Sequence, residues 1–124
     1  MTTIPADAVV QLREALHSEL GNVAEELDAI VVTSERARDD WSPPVARFDR
    51  ARALLDELGW KERDVAVDLD RHRQVIVEAL SEALEGDRYL MSEQGRHAGR
   101  QRRNARARAA TIEAFMDNSG LERA

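Results

Sequence analysis

Residues 5–38 read PADAVVQLREALHSELGNVAEELDAIVVTSERAR, and apolar side chains recur along them in steps of three and four residues. That spacing follows one face of an α-helix and approaches the seam of a coiled coil. Pro5 in the first turn and Asp7 beside it suit a helix start. The stretch therefore predicts one long first helix. Its apolar stripe consists of Val9, Leu12, Leu16, Leu20, Val23, Leu27 and Ile30.

The sequence Asp39-Asp40-Trp41-Ser42-Pro43-Pro44 interrupts the helical pattern. Two consecutive prolines are unfavourable inside a helix, whereas proline is tolerated in a first turn. We therefore expect a short second helix that is capped by Ser42 and ends at Leu58. Gly59 suits the left-handed position that follows a helix, and Trp60 is expected to fold back onto Leu55.

The chain after Trp60 supports two interpretations. Residues 62–70 alternate weakly in polarity, which indicates a short extended piece, but their apolar positions also continue into a helical face. Because the helical pattern persists longer, we expect a helix that starts between Glu62 and Asp70. If the extended reading holds, Asp68 or Asp70 caps the next helix. That helix reaches Leu84 and has a possible joint at Gly86-Asp87. No internal repeat is visible in the sequence.

The charge distribution sets the C-terminal part of the chain apart. The net charge is −6, and it combines −10 over residues 1–95 with +4 over residues 96–124. From Arg96 to Thr111 there are six arginines and no acidic residue. On a helix, five of these arginines share one face, opposite a narrow strip of alanines. This predicted basic face consists of Arg96, Arg100, Arg102, Arg103 and Arg106.

Together these patterns predict an all-α antiparallel helical bundle with coiled-coil-like seams. The bundle has one long N-terminal helix, a short second helix and a long or jointed C-terminal helix. We expect a single domain over residues 1–117, made of an acidic body (1–95) and a basic helical arm (96–117). Residues 118–124 are expected to be disordered.

Several functional classes find little support in the composition. The chain has no cysteine, which excludes disulfides, thiolate metal sites and cysteine nucleophiles. No apolar run is long enough for a membrane span, and the first ten residues lack the features of a signal peptide, so a cytoplasmic protein is expected.

Enzymatic motifs are also missing from the sequence. Glu25-Glu26 lacks the third carboxylate that helical nucleotide pyrophosphohydrolases use to hold magnesium, and no glycine-rich phosphate loop is present. Glu14 and His17 are spaced as a ligand pair, but the chain contains no second pair of this kind. We expect no catalytic residues, no bound metal and no cofactor.

The remaining interpretation is a protein–protein interaction or self-assembly module. A chain this short is not expected to cover its own long first helix, so the stripe would serve as a partner-binding seam in a homodimer. The seam residues are Leu16, Leu20, Val23, Leu27 and Ile30. The basic face would bind an acidic protein surface or, in the alternative reading, nucleic acid. Protein pairing is the main prediction because the acidic body repels polyanions.

Overall fold

The computed structural model describes residues 1–33, 37–92 and 99–121; for those of residues 29–42 that fall in these ranges it describes the backbone alone. Over the described residues the chain is an all-α bundle with a very small sheet, which confirms the predicted fold class. In chain order the elements are β1 (Thr2–Ile4), α1 (Ala6–Thr33), α2 (Ala37–Leu58), β2 (Val65–Val67), α3 (Leu69–Met91) and α4 (Gly99–Asn118).

Each strand is followed by a helical hairpin. α2 runs back along α1, with Arg47 of α2 reaching both Glu19 and Glu26 of α1 at 3.5 and 2.9 Å. α4 runs back along α3 in the same way. The order strand–helix–helix therefore occurs twice in the described chain, although the sequence showed no repeat. The repeat lies in the order of the elements and in the pairing of the two strands.

The two halves are joined by their strands. β1 and β2 pair antiparallel, with Thr2 opposite Val67, Thr3 opposite Ala66 and Ile4 opposite Val65. Both Ile4 and Val67 are fully buried, so the sheet closes one end of the core. Sequence analysis did not predict β1, because three residues are too few to show an alternating pattern.

A single apolar core lies between the two hairpins, and every helix contributes to it. Burying side chains of this size is the main stabilising term in a domain this small. The largest fully buried side chains are Ile4, Leu12, Leu16, Leu54, Leu58, Ile76, Leu80, Leu84, Ile112 and Met116.

The extended reading of the chain before α3 is correct. β2 is extended, and Asp68 caps α3 by accepting hydrogen bonds from the backbone N–H groups of Asp70 and Arg71 at 3.1 and 3.3 Å. This cap satisfies donors that the first helical turn leaves unpaired. The chain thus changes from strand to helix at Asp68.

The predicted boundary between the first two helices is wrong. α1 ends at Thr33 rather than near residue 38, and α2 begins at Ala37, so that Pro43 and Pro44 lie inside it. Each proline removes one intrahelical hydrogen bond. α2 nevertheless includes both prolines, since the connection between the helices falls before Ala37 and not at the prolines. The second helix is consequently 22 residues long and not short.

The C-terminal region also differs from the prediction. α3 passes through Gly86-Asp87 without a joint and ends at Met91. Residues 119–121 are ordered: Gly120 takes a φ of 67°, and the Leu121 N–H donates to the Met116 carbonyl at 2.9 Å. This is a Schellman-type helix end, and it buries Leu121 against the core. Residues 122–124 of the predicted disordered tail lie outside the described residues.

Candidate functional site

The predicted partner-binding seam is largely inside the fold. Leu16 and Val23 are fully buried, and Leu20 and Leu27 are half-buried, while the side chain of Ile30 lies outside the described residues. Leu16 and Val23 are therefore not available to a partner, which corrects this part of the prediction. The physical reason for Leu16 is that both hairpins pack around it: α2, α3 and α4 all contribute to the core in which it lies.

The described part of the predicted basic face belongs to α4, which packs on the rest of the bundle. α4 buries its opposite side, made of Ala105, Ala109, Ile112, Phe115 and Met116. Arg100, Arg103 and Arg106 are exposed, and none of the ion pairs found among the described residues involves them. We call these three residues the Arg strip.

The two other arginines of the predicted basic face behave differently. Arg102 is half-buried, and its Nε is a buried atom without a hydrogen-bond partner among the described residues. Arg96 lies outside the described residues. The Arg strip is thus the part of the predicted face that the structure leaves open to solvent.

The sixth arginine of the basic run has a structural partner. Arg108 donates through Nε and Nη2 to Oδ1 of Asp87 on α3, at 3.1 and 3.0 Å, and Asp87 is only 6% exposed. From the sequence, Asp87 was expected only at a possible joint of the helix. The sequence does indicate that Asp87 is buried. It follows Leu84 by three residues and therefore lies on the apolar face of the same helix.

A buried carboxyl on α1 was missed by the sequence analysis. Glu19 lies on the core face, between Leu16 and Val23 in helical spacing, and is 9% exposed. Burial raises the pKa of Glu19 above its ordinary value of 4.5, and the charge of Glu82 and a hydrogen bond with it raise the pKa further. Arg47 acts in the opposite direction but does not reverse the shift.

The sign of this shift predicts how stability changes with pH. Ionised Glu19 destabilises the folded state at neutral pH, and the folded state binds a proton more readily than the unfolded chain as pH falls towards 4.5. We therefore expect the stability of the wild type, relative to Glu19→Gln, to increase between pH 7.5 and pH 4.5 in urea titrations. Glu25→Gln, at an exposed position on the same helix, is the control and should give a flat difference. A relative stability that decreases as pH falls would contradict this assignment.

A groove of about 350 Å³ lies between α1 and α3 beside Glu82. Its lining combines small and apolar residues, here called its floor, with the exposed carboxylates of Glu14 and Glu82, here called its rim. Asn22 donates to Glu82 at 3.0 Å, and Asp87 is already paired with Arg108. We call this site the acidic groove. The residues that form its floor are Ala15, Ala79, Ala83, Gly86 and Leu90.

The turn after α2 presents Trp60 to solvent. Gly59 has the predicted positive φ, 67°, and its N–H bonds to the Leu55 carbonyl at 3.1 Å, but Trp60 is 81% exposed and does not fold back. Arg13 of α1 donates to the carbonyls of Gly59 and Lys61, on both sides of Trp60, at 2.9 and 2.8 Å. The turn is therefore bound to α1 while its indole stays in solvent.

The two described histidines differ in environment. His72 is buried, and its Nε2 lies against the carboxylate of Glu57 from α2. His17 and Glu14, the single ligand pair suggested by spacing, are both exposed. Over the described ranges, no three histidine or acidic side chains converge in an arrangement that would hold a metal ion.

Hydropathy and comparison with other proteins add no further site. None of the helices in the described part of the chain combines the length and apolar character needed to span a bilayer. Three features of the described surface are suited to binding: the Arg strip, the acidic groove and Trp60. Comparison of the chain with protein-family models, curated proteins and solved structures finds no match.

Proposed function

We propose that this chain is a small protein–protein interaction module that binds an acidic protein surface through the Arg strip. One observation carries the proposal. In a chain with a net charge of −6, Arg100, Arg103 and Arg106 are exposed on one helical face and none of the described acidic residues pairs with them. The packed opposite side of α4 fixes the orientation of this face.

Guanidinium groups arranged in this way suit carboxylates. Arginine binds a carboxylate with two parallel hydrogen bonds, which gives geometric specificity as well as charge attraction. Exposed pairs contribute only about 0.5 kcal/mol each, so three of them give about 1.5 kcal/mol, or about tenfold in affinity. The Arg strip would therefore orient and select an acidic partner whose other contacts supply much of the binding energy.

Nucleic acid is less compatible with this surface. The Arg strip spans seven residues, about 9 Å of helix from first to last, and reaches about three phosphates. Three phosphate contacts give a log–log salt dependence of about −2.7, which is an about fortyfold loss of affinity between 50 and 200 mM salt. The negative net charge of the chain further opposes a polyanion. Binding to an acidic protein surface is consequently the better-supported proposal.

The test compares two fluorescent probes, a poly-glutamate peptide and a duplex DNA, by anisotropy at 50 mM salt. We expect the full-length protein to bind the peptide, and we expect replacement of all three Arg strip residues by Gln to weaken this binding about tenfold. The control replaces Arg50, Arg52 and Arg63, which are exposed elsewhere, by Gln and removes the same total charge.

The control variant should bind within about twofold of the wild type, because its charges lie outside the proposed surface. Equal losses in both variants would show that net charge and not the Arg strip determines binding, and the proposal would fail. Tighter binding to the duplex than to the peptide, lost in the Arg strip variant, would establish the nucleic-acid function instead.

A further inference from the structure

Trp60 is an exposed aromatic side chain on a turn that is held in place. Arg13 binds the two carbonyls on either side of it, and the Asp64 carboxylate accepts from the Ala6 N–H at 2.8 Å, so the turn is fixed at both ends. The indole remains 81% exposed, with the Lys61 ammonium 5.7 Å from its ring centre. A large side chain that is presented on a preorganised turn loses little conformational entropy when it binds.

The equivalent position in the second half of the fold behaves in the opposite way. α4 also ends in a glycine with a φ of 67°, and the next residue, Leu121, is buried against the core. The chain can therefore bury an apolar side chain after such a glycine. At Trp60 the chain leaves the larger side chain exposed to solvent. Tryptophan is one of the residue types enriched among the anchors of protein interfaces.

The acidic groove has the properties that such an anchor requires. Its floor of alanines, Gly86 and Leu90 is apolar and open, and its volume of about 350 Å³ accommodates an aromatic side chain. Carboxylates of Glu14 and Glu82 stand at the rim. They suit the indole N–H, and they are opposite in charge to Lys61, whose ammonium lies over the indole ring. The exposed Glu62 and Arg63 that follow balance each other in charge.

The groove and the Trp60 turn lie on different sides of α1. At about 100° per residue, Arg13, which holds the turn, is between about 100° and about 160° from the residues of α1 that line the groove. Those residues are Gln11, Glu14, Ala15 and Ser18. The turn of one chain therefore has no access to the groove of the same chain.

We propose that Trp60 of one copy enters the acidic groove of a second copy, so that the chain self-associates head to tail. Because each copy carries the donor turn on one side and the acceptor groove on another, the contact is heterologous and repeats from copy to copy. This contact uses neither the predicted seam nor the Arg strip. It is thus independent of the function proposed above.

The test uses two variants of the full chain and their mixture, studied by sedimentation velocity. Trp60→Ala removes the donor, and Ser18→Arg, at an exposed position on the groove, fills the acceptor and neutralises its rim. We expect the average mass of the wild type to rise between about 10 μM and about 500 μM. Each variant alone should associate at least about thirtyfold more weakly.

The mixture gives the decisive result. Ser18→Arg still offers Trp60, and Trp60→Ala still offers the groove, so equal amounts should form a one-to-one pair that does not grow further. Both variants should keep the helical circular dichroism of the wild type and its affinity for poly-glutamate. A monomeric wild type at the highest concentration, or correctly folded variants that form no pair, would overturn the proposal.

Discussion

Leu16→Ala is expected to lower the free energy of unfolding by about 3 to 4 kcal/mol. The Leu16 side chain is fully buried in the core between the two hairpins. Its truncation removes buried apolar surface and leaves a cavity that the surrounding helices fill only in part. For a chain of 124 residues this is a large share of the total stability. Urea denaturation followed by circular dichroism measures it.

Leu20→Ala is the matched control, because Leu20 belongs to the same stripe but is only half-buried. Its truncation is expected to cost about 1 kcal/mol. The comparison also separates a core from an interface. If Leu16 lay in a dimer seam, its contribution would depend on protein concentration. A loss below about 1 kcal/mol at Leu16, or one that changes with concentration, would favour the seam interpretation.

The stripe itself was predictable, whereas the element that covers it was not. Helical periodicity is a local property. Steps of three and four residues from Val9 to Val23 therefore predict a buried face, whatever path the following segments take. Which segments pack against this face depends on how the chain folds back after α1. Pro43 and Pro44 indicated a break, but the connection lies earlier. Leu16 is buried because all four helices contribute to the core around it, which local periodicity does not show.

The arginines of α4 show more clearly that tertiary contacts cannot be predicted from local sequence. Arg103 and Arg108 belong to one arginine-rich run and differ little in local sequence. Arg103 is exposed, whereas Arg108 reaches a buried carboxylate 21 residues earlier in the chain. The difference is set by the rotation of α4 against α3, which is a tertiary property. Sequence analysis could therefore place a basic helix but could not identify which of its arginines face solvent.

The acidic groove and the exposed Trp60 were beyond sequence analysis for a related reason. Alanine at helical spacing predicts close packing, but two helices that diverge slightly leave a groove along the same alanines. Trp60 was expected to cover Leu55, the usual contact after a left-handed glycine. The bonds from Arg13, which lies 46 residues earlier in the chain, hold the turn differently.

Arg108→Ala is expected to be the most destabilising substitution in the arginine-rich run, at about 3 kcal/mol. It leaves the Asp87 carboxylate, whose side chain is 9% exposed, without its partner in a site where water has little access. Asp87→Ala should cost less, about 2 kcal/mol, because the Arg108 side chain is 33% exposed and its guanidinium can still reach water.

A double-mutant cycle separates the pair from its surroundings. The variant with both substitutions should lose less stability than the two single losses combined, because it removes the unpaired charge that each single change creates. Arg103→Ala, on the exposed side of α4, is the matched control and should change the free energy of unfolding by less than about 0.5 kcal/mol. Equal effects at Arg103 and Arg108 would mean that α4 is not fixed in this rotation, and the Arg strip would lose its defined orientation.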